Sequence, residues 1–124
     1  MSDDLHGVVV AHGAIAPALV ESVEEITGVR GVLVPVSNSG CDRGRLEERI
    51  LAAVGDRRAV VFVDMPSGSC LFAAARRLAS HPGVKLVTGV NLAMLVDFVF
   101  HRDLSVELAA ERAADTGSRA ISQR

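Results

Sequence analysis

The chain has no tryptophan, no tyrosine and only four phenylalanines, so any core must be built from Val, Leu, Ile and Ala. It has two cysteines, Cys41 and Cys70, and no Cys-x-x-Cys or His-x-x-x-His pair of the kind that usually holds zinc. That pattern sets the expectation of no bound metal. A Cys41–Cys70 disulfide stays open, but two lone thiols without a secretory leader read as reduced and cytoplasmic. The start, Met1-Ser2-Asp3-Asp4, is acidic, whereas an export signal begins with positive charge followed by an apolar stretch. No apolar run reaches the ~20 residues that cross a bilayer, so direct membrane insertion is not expected. The formal net charge of −2 supplies no basic patch for nucleic acid or an anionic membrane. Neither a Gly-x-x-x-x-Gly-Lys loop nor a Gly-x-Gly-x-x-Gly turn is present, so no nucleotide cofactor is expected. Internal repeats and low-complexity tracts are also missing.

What remains is apolar enough to fold: 49% of residues are hydrophobic, too many for a disordered chain, and 124 residues fit one compact domain spanning 1–124. Residues 7–11 are a buried-strand pattern ending at His12-Gly13. Pro17 suits a first helical turn; Leu19, Val23 and Ile26 recur at helical spacing, and Gly28 stops the helix. A second strand is expected within 31–36, followed by a loop at 37–42. A helix over 43–54 carries Leu46, Ile50, Leu51 and Val54. Strand 59–63 runs into Asp64 and a turn at 65–69. A helix over 70–79, a strand over 84–88, an apolar helix over 92–100 opened by Asn91 and an amphipathic helix over 104–115 complete the series, with a short polar tail over 116–124. Four alternations of strand and helix predict a parallel sheet with helices on both faces.

In such sheets ligands bind beyond the carboxyl ends of the strands, where the strand order reverses. Strand one ends at His12 and strand three at Asp64. Spacing alone does not fix the order, but in the order 2-1-3-4 these strands are neighbours and the two side chains meet. A neutral histidine is a nucleophile through its free ring nitrogen, and a carboxylate on the other nitrogen fixes the tautomer. Gly13 leaves room beside the ring, and Ser67, Gly68 and Ser69 precede a helix whose amides suit an anion. Phosphoryl transfer asks mainly for such positioning and charge stabilisation.

Three segments, Val8-Val9-Val10-Ala11-His12-Gly13, Phe62-Val63-Asp64-Met65-Pro66-Ser67-Gly68-Ser69 and Thr88-Gly89-Val90-Asn91-Leu92-Ala93-Met94-Leu95, make the chain resemble the mannose-family IIA domain of the bacterial sugar phosphotransferase system (PTS). The resemblance covers nearly the whole chain. It implies a flavodoxin-like fold of order 2-1-3-4 and a homodimer that exchanges a short C-terminal strand. It implies that His12 takes phosphate from phospho-HPr and passes it to a IIB component. Asp64 would orient His12, Ser69 would lie beside the phosphoryl group, and Asn91 would stand near the site. The sequence departs from the family at Ser67-Gly68-Ser69-Cys70, where two glycines and then Ser-Pro are usual, and at Phe72, where an asparagine is usual. Arg119-Ala120-Ile121-Ser122 is a poor strand.

Plainer readings stand beside these. Ser69 and Asn91 each fit a helix N-cap. His6, His81 and His101 read as surface or turn residues without acidic partners. Cys70 and Arg76 share the Cys-x5-Arg spacing of cysteine phosphatases, but the residues between them favour a helix over a phosphate-wrapping loop. A serine hydrolase would need a Gly-x-Ser-x-Gly elbow, which is missing. A regulatory module signalling through the phosphorylation state of His12, and a small hydrolase using Cys70 or Ser69, are the alternatives to a phosphocarrier.

Overall fold

All six residues of β1 (His6–Ala11) are buried, which requires cover on both faces of the strand. The computed structural model describes residues 4–124; residues 1–3, part of the acidic start read as lacking an export signal, lie outside them. After β1 come α1 (Ile15–Thr27), β2 (Leu33–Ser37), α2 (Arg43–Val54), β3 (Ala59–Val63), α3 (Ser69–Leu78), β4 (Val84–Thr88), α4 (Leu92–Val99) and α5 (Val106–Arg119). The strands form one parallel sheet of order β2-β1-β3-β4, with Val9 opposite Phe62 and Val10 opposite Val63. This is the flavodoxin-like order anticipated from the sequence. Among the described residues no helix is long and apolar enough to cross a membrane.

Strand alternation divides the interior into two layers. Val9 and Ala11 of β1, with Val60 and Phe62 of β3, face the layer that α1, α4 and α5 cover. Val8 and Val10, with Val61 and Val63, face Leu46, Ile50 and Val54 of α2 and Cys70, Ala73, Ala74 and Leu78 of α3. Phe62 and Phe98 meet edge to face with ring centroids 5.2 Å apart, worth about 0.5–1.5 kcal/mol beyond their burial. The close packing reaches the backbone at Gly7. A Cβ there would lie 2.6 Å from Leu33 Cδ2 and 2.9 Å from Phe98 Cε2.

Several expectations are corrected. On α1 the buried stripe is Ala16, Val20 and Val23; Leu19 is half-buried and Ile26 is exposed. The small Ala16 is fully buried, and with Val20 and Val23 it carries the contact that Ile26 does not. Leu51 is likewise only half-buried on α2. The last helix starts at Val106, capped by Ser105 Oγ, and continues to Arg119, past the 115 boundary. Ala120 N–H still bonds to Thr116 O at 3.2 Å, so the helical ladder outlasts the apolar periodicity. Residues 121–124 form no strand, so the C-terminal strand left open by the resemblance is not part of this sheet.

His6 is buried rather than a surface or turn residue. Its ring lies between Ala53 O, 3.0 Å from Nε2, and Arg58 O, 3.2 Å from Nδ1, linking the end of α2 to the approach to β3. His101 does have an acidic partner. Its Nδ1 lies 2.7 Å from Asp97 O and 3.4 Å from Asp97 Oδ1, one helical turn back. His81 sits in its turn, with Nδ1 accepting from Gly83 N–H.

Candidate active site

β1 and β3 are adjacent and parallel, and Asp64 N–H donates to Val10 O at 3.2 Å. This last rung sets Asp64 directly beneath the residue that leaves β1. His12 N–H donates to Asp64 Oδ2 at 2.9 Å, and the His12 ring places Nδ1 2.7 Å from the same oxygen. An ionised carboxylate can only accept, so Nδ1 carries the proton in this contact. A neutral ring then has its lone pair on Nε2. The Asp64 side chain is 9% exposed and the His12 side chain 38%, so the orienting group is buried while the ring reaches solvent.

Nε2 points at the start of α3. Ser69 Oγ lies 3.4 Å from it, and a Cβ on Gly68 would lie 3.9 Å away. Gly68 has φ +97°, a conformation that L side chains rarely adopt, and it holds the N-cap position of α3. Ser69 is therefore the first residue of the helix and makes no side-chain cap bond, contrary to its reading as an N-cap. Its hydroxyl faces the histidine instead. Phe72 N–H is the first to bond back along α3, to Gly68 O, so the N–H groups of Ser69, Cys70 and Leu71 have no partner within the helix. Those amides and the helix dipole favour an anion beside Nε2.

Gly13 turns the chain out of the site with φ +59°. Its N–H donates to Asn38 Oδ1 at 3.1 Å, and its carbonyl accepts from Ser37 Oγ at 2.7 Å. Arg49 in turn donates to Ser37 O and Ser39 O, tying this loop to α2. Sequence reasoning passed over Ser37 and Asn38. They lie at the carboxyl end of β2, so the rule that pointed to His12 and Asp64 also pointed to them.

The other expected residues divide. Ser67 is exposed and makes no hydrogen bond among the described residues. Asn91 is occupied elsewhere: its Oδ1 caps α4 through Met94 N–H at 3.1 Å, and its Nδ2 donates to Gly117 O on α5 at 3.2 Å. Cys70 and Arg76 both lie within the continuous helix α3, so no phosphate-wrapping loop joins them. Cys70 belongs to the site in another way. Its thiol is fully buried and stands near His12 and Asp64. Burial, reinforced by the Asp64 charge, pushes it up from 9.0 to about 11.

A family model described as the PTS system fructose IIA component matches residues 7–115. The sorbose-specific EIIA component of Klebsiella pneumoniae is 29% identical over 98 residues, which are 77% of this chain and 73% of that protein. Among solved structures, a phosphotransferase EIIA from Streptococcus agalactiae superposes with a TM-score of 0.88 at 20% identity, covering 96% of each chain. A mannose/sorbose-specific IIA subunit from Enterococcus faecalis gives 0.86 at 19% identity, covering 98% of this chain and 95% of that one. At those identities the structures speak for the fold, and the matched sequence model speaks for the family. The chain belongs to the fructose, mannose and sorbose IIA family of the sugar phosphotransferase system, with a phosphocarrier's role.

Proposed function

We propose that His12 accepts a phosphoryl group on Nε2 from phospho-HPr and hands it to a IIB component. The observation that carries this reading is the 2.7 Å contact between Asp64 Oδ2 and His12 Nδ1, which leaves Nε2 as the free nucleophile. In the forward step the Nε2 lone pair forms a new N–P bond while the bond from phosphorus to the donor breaks, its electron pair leaving with HPr. Asp64 offsets the positive charge that grows on the ring. Ser69 Oγ and the first amides of α3 lie where the phosphoryl oxygens would arrive, and Gly13 and Gly68 keep side chains away from the ring. Return to IIB is the same displacement in reverse.

Exchange between proteins needs an open site, and the histidine side chain is 38% exposed. Met65, Phe72 and Ile15, each within three residues of Asp64, Ser69 or His12, present exposed apolar side chains suited to transient docking. We place this single-domain carrier in the cytoplasm, where such partners act. We assign it a homodimer on account of exposed Leu92 and Phe100, at the ends of α4, and Leu108 on α5.

The test is intact-mass analysis after incubation with enzyme I, HPr and phosphoenolpyruvate. One acid-labile phosphoryl group on the wild type and none on His12→Ala is the expected result. No gain on folded wild type, with a known IIA domain labelled in the same tube, would overturn the proposal and favour a different donor or a domain that has lost phosphotransfer.

A further inference from the structure

His12, Asp64 and Cys70 come from three separate chain segments, yet a ring nitrogen, a carboxylate oxygen and Sγ lie within 4.8 Å of one another. An equilateral triangle of that side has its centre about 2.8 Å from each corner, and zinc bonds to N, O and S span about 2.0–2.3 Å. Inward shifts of about 0.5–0.8 Å would close the site.

A second observation points the same way. Asp64 Oδ1, the oxygen that does not hold His12, is buried and has no hydrogen-bond partner. An unpaired buried carboxylate oxygen is costly, and a cation would satisfy it. The donor set of imidazole, carboxylate and thiol suits zinc and its neighbours and disfavours magnesium or calcium, which take oxygen. The exposed side of His12 leaves water a fourth position.

We propose that His12, Asp64 and Cys70 form a binding site for a borderline-soft divalent transition-metal ion, typified by Zn2+, that excludes the phosphoryl group from His12. Binding converts the Cys70 thiol to a metal-bound thiolate and releases one proton per ion. The exclusion follows from imidazole chemistry. A neutral ring has one lone pair, and whichever nitrogen takes the ion, the other carries the proton. No nucleophilic nitrogen then remains for phosphorus. Metal binding stands apart from the proposed phosphocarrier reading; only its effect on transfer rests on that reading.

Co2+ is the probe for the site. Titrated into chelator-treated protein, it is expected to give a thiolate-to-cobalt charge-transfer band that Zn2+ abolishes. The band should persist in Cys41→Ser, vanish in Cys70→Ala, and need about tenfold more metal or higher in His12→Ala. Each variant's fold is checked by circular dichroism. A folded wild type with no band, or a band unchanged in Cys70→Ala, overturns the site. In the phosphorylation assay, Zn2+ should block labelling of the wild type, and the concentration that halves labelling should rise about tenfold or more in Cys70→Ala relative to its own metal-free rate. Equal sensitivity of the two proteins overturns the exclusion. If metal-free wild type is not labelled at all, the phosphocarrier reading fails and the cobalt band still decides the site.

Discussion

One oxygen of Asp64, Oδ2, holds His12 at two points, its backbone N–H at 2.9 Å and its ring Nδ1 at 2.7 Å. The double hold ties the direction of the ring to the end of β1, and replacing the carboxylate by an amide removes the electrostatic support and lets an amide N–H favour the wrong tautomer. Asp64→Asn should fold normally and take up phosphate more slowly by roughly 10²–10⁴-fold, the range for groups that act through proton and charge placement. Quenched-flow labelling with phospho-HPr measures it. An unchanged rate would take Asp64 out of this role.

Asn38 reaches the site through Gly13, whose N–H it accepts at 3.1 Å. The contact lies near the surface, so Asn38→Ala should change thermal stability by less than about 1 kcal/mol. Loosening the residue after His12 should slow labelling roughly 2–10-fold. A loss of stability with no change in rate would make Asn38 a loop residue only.

Cys70 opens a clean alkaline window. The chain has no tyrosine and a single lysine, Lys85, so few other groups titrate there. Its thiol is held at about 11 in the folded protein against 9.0 for a free group. Between those values the unfolded chain loses a proton that the folded chain keeps, so the contribution is full below pH 9 and is lost as pH rises toward 11. Denaturant unfolding of metal-free protein should show roughly 2 kcal/mol more loss across this window in the wild type than in Cys70→Ala. Equal slopes would contradict it. At pH 8 the folded thiol should resist alkylation and react once urea exposes it.

Gly7 has no space for a methyl group, since Leu33 and Phe98 already occupy it. Gly7→Ala should cost about 1–3 kcal/mol through overpacking and lower Tm by roughly 3–12 °C, read by calorimetry. The folded fraction should still take one phosphoryl group on His12. A Tm equal to that of the wild type would mean that β2 and α4 shift freely.

The ends of the strands at His12 and Asp64 were legible because apolar β-branched runs mark them well, whereas the sheet order that brings the two together was open to spacing and was implied only by the family resemblance. The α1 face is less legible because bulk favours Ile26 at helical spacing, while the buried stripe runs through the small Ala16, which apolar size does not single out. His6 was misread because a buried histidine depends on carbonyls at positions 53 and 58, which no local pattern announces. Asn38 and Ser37 lay in a loop whose composition signals a turn but not its direction. Cys70 stands out in the sequence by its spacing to Arg76, whereas its partners in space, His12 and Asp64, lie just past the ends of β1 and β3.

The two borders of the sheet differ in how they meet another extended chain. On β2 the exposed Pro35 withholds one backbone donor, which blunts that border against strand addition. On β4 every residue keeps its donor, and the only charge is the exposed Lys85. α5 runs on to Arg119 and residues 121–124 form no strand, so none of them covers the β4 border. One lysine is thus the main guard against edge-to-edge pairing, and replacing it with a β-branched residue would turn this border into the place where copies of the protein stick to one another.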